Sequence, residues 1–174
     1  MRGRVLAPAD RLRYAPGSML LLVGADAPTV EALGARVLED PNALLSLAKL
    51  RGMLEGRVPD GEVDEKARAL LDATAAKRLA SGQTVVIALE SLDAIERERY
   101  VRAALPHRRP RHLILVETGK ANVAEEDRAT LDALRTALDA GEMGQEGFVT
   151  SLRLGGRTVG ELKRIVFAPP PKDD

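Results

Sequence analysis

The chain contains no cysteine and no tryptophan, and its histidines are His107 and His112 alone. Disulfides, thiolate metal sites and thiol nucleophiles are therefore excluded, and so is a histidine-rich metal centre; no metal is expected. Aromatic residues make up only 2% of the chain: Tyr14, Tyr100, Phe148 and Phe167. That is too few for the stacking platforms that hold single-stranded nucleic acid. Lys+Arg and Asp+Glu both number 26, for a net charge of zero. No electrostatic footprint for DNA, RNA or anionic lipid results. No apolar run approaches the roughly 18 residues that a membrane span needs. The first residues, MRGRVLAPADRLRY, lack an apolar core and carry Asp10, so they do not read as a signal peptide. A soluble cytoplasmic protein is expected, without nucleic-acid or membrane partners.

What is present is aliphatic. About 45% of the 174 residues are hydrophobic, enough for one domain with a core of Leu, Val and Ala. Four segments read as buried strands: Met19–Val23, Thr84–Ala88, His112–Val116 and Phe148–Leu154. The first three are continuously apolar, as in strands covered on both faces. Helical spacing appears over Pro28–Leu38, with Val30, Leu33 and Val37 on one side, and over Ala43–Leu54. It recurs over Glu62–Leu79, Leu92–Leu105 with Ser91 as N-cap and Asp93 in its first turn, and Glu125–Ala140 closed by Gly141. Alternation of this kind predicts right-handed crossovers and a parallel sheet with helices on both faces. Residues 1–17 read as a lead-in ending in the turn Pro16-Gly17, 18–167 as a single domain, and 168–174 as a flexible tail.

In such sheets ligands sit beyond the carboxyl ends of the strands, here at Gly24-Ala25-Asp26, Leu89-Glu90-Ser91 and Glu117-Thr118-Gly119-Lys120. The stretch MLLLVGADAPTVEAL, Met19–Leu33, has the strand–glycine–helix context of a phosphate loop. In the pattern G-x-x-x-x-G-K-[S/T], with the first glycine on Gly24, the second falls on Thr29, the lysine on Val30 and the magnesium-binding hydroxyl on Glu31. Hydrogen bonds to charged groups contribute about 1.5–3 kcal/mol each. A carboxylate about 4 Å from a phosphate charge repels it by about 4 kcal/mol at an effective dielectric near 20. Losing the lysine and gaining Glu31 thus removes several decades of phosphate affinity. Pro28 deletes one amide donor, and Asp26 is placed to cap the helix and occupy the same amides. Asp26, Glu31, Glu90 and Glu117 predict an acidic rim, with Lys120 its clear base. A divalent metal on this rim is a further possibility that no positive feature supports.

Several segments resemble bacterial P-loop kinases of the polynucleotide-kinase-like type, the zeta-toxin/AAA-type ATP-binding group, especially actinobacterial ATP-binding proteins. RYAPGSMLLLVG, at Arg13–Gly24, resembles that family's approach to its phosphate loop, and the residues that follow align without a gap. ALLDATAAKRLASGQTVVIALES, at Ala69–Ser91, resembles its helix and the strand ending in an Asp-Ala-Thr-Asn motif, here Ala88-Leu89-Glu90-Ser91. ALDAGEMGQEGFVTSLRL, at Ala137–Leu154, and ELKRIVF, at Glu161–Phe167, resemble its later elements. The resemblance implies a three-layer α/β/α fold of the P-loop NTPase kinase type with a mainly parallel five-stranded sheet. It implies ATP and magnesium as cofactors in a working member. The departures fall on the chemistry: the loop positions, Ala88 for the motif aspartate, and a short lid region, Thr118–Asp132, offering Lys120 and Arg128. The second acidic position of the family aligns with Asp40 or with Ala48. With Asp40, one catalytic carboxylate is kept and Arg51 is a retained basic contact.

Two functions are expected from this. One is a degenerate kinase without a cofactor that acts by binding another protein or a copy of itself. The alternative is an ATP-binding phosphotransferase with an altered loop, using Gly24, helix amides, Asp40 and Arg51. Other features read plainly. HRRPRH, His107–His112, is a basic surface loop at the edge opposite the crevice. Arg97, Glu98 and Arg99 form a solvent face. Met143 and Phe148 are core residues.

Overall fold

The computed structural model describes residues 11–119, 123–155 and 157–169. Its strands are β1 (Arg11–Tyr14), β2 (Met19–Val23), β3 (Leu44–Ser46), β4 (Val85–Ala88), β5 (Arg111–Val116), β6 (Thr150–Leu154) and β7 (Arg164–Phe167). Strands β2 to β6 form one sheet in the order β3-β4-β2-β5-β6, and each neighbouring pair is parallel. The first strand of this sheet in the chain, β2, is thus central and fully buried. Its residues alternate between two apolar clusters. Met19, Leu21 and Val23 face one side with Val85, Ile87, Leu113 and Leu115. Leu20 and Leu22 face the other with Val86, Ile114 and Val116. Each of these side chains contributes about 1.5–3 kcal/mol by leaving water.

The helices complete the layers. Helices α3 (Val63–Ala80), α4 (Ala94–Ala104) and α5 (Glu125–Asp139) cover the first side with Ala67, Leu71, Ala75 and Leu79, with Tyr100 and Val101, and with Leu131, Leu134 and Leu138. Helix α1 (Ala27–Val37) covers the other through Val30, Leu33 and Val37. This is the expected three-layer arrangement. Met143 and Phe148 lie in the core as expected. Gly141, at φ 74°, ends α5 in the left-handed conformation.

Four expectations change. The segment Ala43–Leu54 is not one helix. Pro41 opens a short 3-10 turn, Leu44–Ser46 forms the edge strand β3, and Ser46 then caps α2 (Leu47–Leu54) by accepting from the Lys49 amide at 3.1 Å. The fourth helix begins at Ala94, two residues beyond the expected start, because Ser91 Oγ accepts from the Asp93 amide at 3.0 Å in a local turn. Arg97 does not face solvent. Its side chain is buried against Glu146, with Nε–Oε1 at 2.8 Å, and donates to the Leu92 carbonyl at 2.7 Å. The fourth concerns the ends of the chain.

Within the lead-in, Arg11–Tyr14 is a strand. It pairs in parallel with β7, Leu12 opposite Ile165, in a separate two-stranded ribbon. Leu12, Leu162 and Ile165 are buried in the cluster that α1 joins, so the ribbon fills part of the layer opposite α3–α5. Arg36 of α1 donates to the carbonyls of Leu162 and Val159, each at 2.7 Å, tying the approach to β7, which follows α6 (Arg157–Glu161), onto the helix. The start of the expected tail is held as well. The Ala168 amide donates to Tyr14 O at 3.1 Å and Arg13 donates to Pro169 O at 2.8 Å. Residues 1–10 and 170–174 lie outside the described residues.

His112, which opens the expected buried strand His112–Val116 and also ends the basic run HRRPRH, takes the strand position. It belongs to β5, is only 6% exposed, and packs against Tyr14 with ring centres 4.4 Å apart and planes tilted by 38°. Nδ1 lies 2.7 Å from Thr150 Oγ1, and buried Nε2 has no hydrogen-bond partner. Burial, reinforced by the neighbouring Arg111, lowers its pKa from 6.5 to about 4. The unfolded chain therefore takes up a proton that the folded chain refuses. Stability is complete above pH 6.5 and declines as pH falls toward about 4. Urea midpoints measured between pH 7 and pH 4 should fall more steeply for the native chain than for His112→Phe. Parallel curves would show that His112 is not held neutral.

Candidate functional site

The carboxyl ends of β2, β4 and β5 lie side by side, because Leu22 pairs with Ala88 and Val23 with Leu115. The residues after them meet at one edge, where the sequence places a ligand crevice. At its centre Gly24 is held by packing. A Cβ there would lie 2.5 Å from the Val116 carbonyl oxygen and 2.8 Å from Val30 Cγ2.

The residues aligned with a phosphate loop are helical. Helix α1 begins at Ala27, so Thr29, Val30 and Glu31 lie within its first turns. The Val30 amide donates to the Asp26 carbonyl at 3.1 Å. The Val30 side chain, at the position where a lysine is needed, is 0% exposed and packs with Leu20, Leu22, Ile114 and Val116. Asp26 is the N-cap residue by position, yet its carboxylate makes no bond to a backbone amide and instead accepts from the Thr29 hydroxyl. This replaces the expected amide cap: threonine three residues on offers a closer donor. Glu31 accepts from Ser46 Oγ at 2.9 Å, and Ser46 is buried at the end of β3.

Two acids of the rim, Glu90 and Glu117, are paired with arginines. Glu90 receives a two-pronged contact from Arg51, Nη1–Oε1 at 2.6 Å and Nη2–Oε2 at 3.0 Å, and the same guanidinium donates through Nε to Asp64 at 2.6 Å. The hydrogen bond to Glu90 is the main cause of a raised Arg51 pKa. Glu117 is bracketed by Arg135, through Nε, and by Arg153, Nη2–Oε2 at 3.0 Å. These arginines also hold Asp132 and Asp139, at 2.9 and 2.6 Å. The expectation that Lys120 is the rim's clear base is thus corrected by Arg51, Arg135 and Arg153; Lys120 itself lies outside the described residues. These pairs engage both oxygens of Glu90 and both of Glu117, whereas Asp26 and Glu31 accept from hydroxyls and have no arginine partner among the described residues.

Asp40 and Arg51 are not brought together. Asp40 precedes β3, caps the turn at Pro41–Ala43 by accepting from the Asn42 amide at 2.9 Å, and lies 3.8 Å from Arg78. It sits at the amino edge of the sheet, whereas Arg51 reaches the carboxyl edge through Glu90. Of the two alignments for the family's second acid, Ala48 falls just after the carboxyl end of β3, in the first turn of α2, and carries no acid. Ser46, Arg135 and Arg153 join the site without being among its expected residues. A signal existed for Arg153, an arginine between Leu152 and Leu154 in a strand, which needs a carboxylate beside it. A cavity of about 250 Å³ adjoins the end of β4, lined by Arg68, Leu89, Glu90, Glu96 and Tyr100. Among the described residues, no cluster of three or more His, Asp or Glu could hold a metal, and no helix is long and apolar enough to cross a membrane.

No family model matches the chain, and no curated protein matches it. Among solved structures, the crystal structure of a "putative kinase" from Chloroflexus aurantiacus is similar, with a TM-score of 0.50 and 19% identity. The match covers 79% of this chain and 84% of that one. The central β2, the parallel order β3-β4-β2-β5-β6 and this likeness give the chain a three-layer α/β fold shared with that kinase-like structure.

Proposed function

We propose that this chain is a degenerate P-loop kinase-like protein that neither binds ATP nor transfers a phosphoryl group, and that it acts as a binding module for another protein or for a copy of itself. One observation carries this reading. At the position where a phosphate loop needs a lysine, a valine is fully buried and its amide is spent on the Asp26 carbonyl. A phosphate cradle works by aiming free backbone N–H groups and a flexible cation at the anion. Here that stretch is helix, Pro28 has no N–H, Glu31 is bonded to Ser46, and Arg51 is held by Glu90 and Asp64. A triphosphate would have to break these bonds before forming its own.

The test is a titration with magnesium and ATP read by thermal unfolding. The melting temperature is expected not to move at millimolar nucleotide. A ligand present at 100 times its dissociation constant stabilises by about 2.7 kcal/mol, which shifts the midpoint by several degrees for a domain of this size. Such a shift would reinstate the phosphotransferase and overturn the degenerate kinase.

A further inference from the structure

A groove of about 520 Å³ lies at the free edge of β3, between α2 and α3 and away from the crevice. Its volume falls in the range of small-molecule sites, roughly 300–1,000 Å³. The wall from α3 is a stripe at helical spacing, from Leu70 through Ala73 to Lys77 and Arg78. This second stripe is distinct from the buried one, Ala67, Leu71 and Ala75, that meets the sheet. At 1.5 Å per residue it runs about 12 Å, and its polarity changes along its length.

One end is apolar and open. Met53 of α2 is 54% exposed and Leu70 37% exposed, both lining the groove. The other end is cationic. Lys77 lies in the last turn of α3 and has no ion pair among the described residues. Arg78 is fixed there by donating to Thr84 O at 2.8 Å. Lys49 reaches the same end, since its amine donates to Pro41 O at 3.0 Å. The acid facing them is Asp40, 3.8 Å from Arg78, so a net positive charge remains.

The geometry points to a binding site for an amphipathic carboxylate, with its aliphatic chain along Leu70 and Met53 and its head group on Lys77 and Arg78. The site is independent of whether nucleotide binds at the crevice. The anionic head is read by Lys77 because that amine is the cation without a competing partner. The tail covers the apolar surface that the sheet and helices leave open, which is the source of the affinity.

Decanoate, kept below its micelle-forming concentration, is the probe, followed through the methyl NMR signals of Met53, Leu50 and Leu70. Saturable shifts confined to these methyls are expected. Lys77→Glu should weaken decanoate about tenfold, and Met53→Asp should abolish the shifts; both positions are exposed, so both variants should keep the native methyl spectrum elsewhere. Decanol should bind more weakly than decanoate. The proposal fails if no shift occurs, if decanol binds as tightly as decanoate, or if Lys77→Glu leaves the titration unchanged. It also fails if the same methyls shift with protein concentration alone, which would assign the groove to a second copy of the chain.

Discussion

Val30→Lys should cost about 3–5 kcal/mol of folding stability, the usual consequence of an uncompensated charge in a core. Domains of this size are stable by about 5–15 kcal/mol in all, so the variant should melt far below the native chain. The valine shares a buried apolar cluster with Leu20, Leu22, Ile114 and Val116 of the central strands, and its Cγ2 lies 2.8 Å from where a Gly24 Cβ would go. A lysine there must either lose its proton or pull the start of α1 away from the sheet. Pairing it with Glu31→Ser restores two letters of a phosphate loop without restoring the loop, since residues from Ala27 onward are already helix. The double variant should therefore remain unresponsive to magnesium and ATP and should also lose the Ser46–Glu31 hydrogen bond. Urea denaturation and nucleotide titration of the same sample check both halves. A stable double variant that binds ATP would mean that the helix start unwinds to make a cradle.

Gly24→Ala should be nearly as damaging, at about 3 kcal/mol, the upper part of the range for overpacking. The added methyl would meet a backbone oxygen at 2.5 Å, and that oxygen belongs to the last residue of β5, whose pairing with β6 resists displacement. A useful comparison is Gly52→Ala. Gly52 lies inside α2, and a Cβ there meets nothing within 4 Å. Alanine is favoured over glycine in a helix by about 0.5–1 kcal/mol, so the two substitutions should move the urea midpoint in opposite directions. Equal effects would place the cost of Gly24→Ala outside this contact. The glycine that makes the stretch look like a phosphate loop is thus required by the sheet itself, whatever binds beyond it.

The central strands were legible because each is an unbroken apolar run, a pattern that burial on both faces imposes. The burial of Val30 was legible too, since Leu33 and Val37 continue its stripe. Strand β3 was hidden: three residues, Leu44–Ser46, carry no period of their own, and the Ala/Leu-rich residues around them suit a helix equally well. The pairing of β1 with β7 was hidden for a related reason. Each strand is four residues long, and nothing local marks a partner so far along the chain. The rim misled in a different way. Its acids could be read from the strand ends, but the arginines that neutralise Glu90 and Glu117 come from α2, α5 and β6. Glu117 and Arg153 lie 36 residues apart, and Arg51 and Glu90 lie 39 apart. Such pairs are fixed by the fold alone. Asp40 misled for want of β3: once that strand is drawn, the aspartate falls at its beginning rather than its end.

The parallel ribbon has a mechanical corollary. In register, Arg11 stands beside Arg164 and Tyr14 beside Phe167, so the chain runs into β1 at one extremity of the ladder and leaves β7 at the other. Tension drawn between the two flanks slides the strands lengthwise, and every rung shares the load at once. An antiparallel pair pulled from adjacent ends would instead peel open rung by rung. The fold therefore closes with a fastener that grips hardest along the line in which its own ends are tugged.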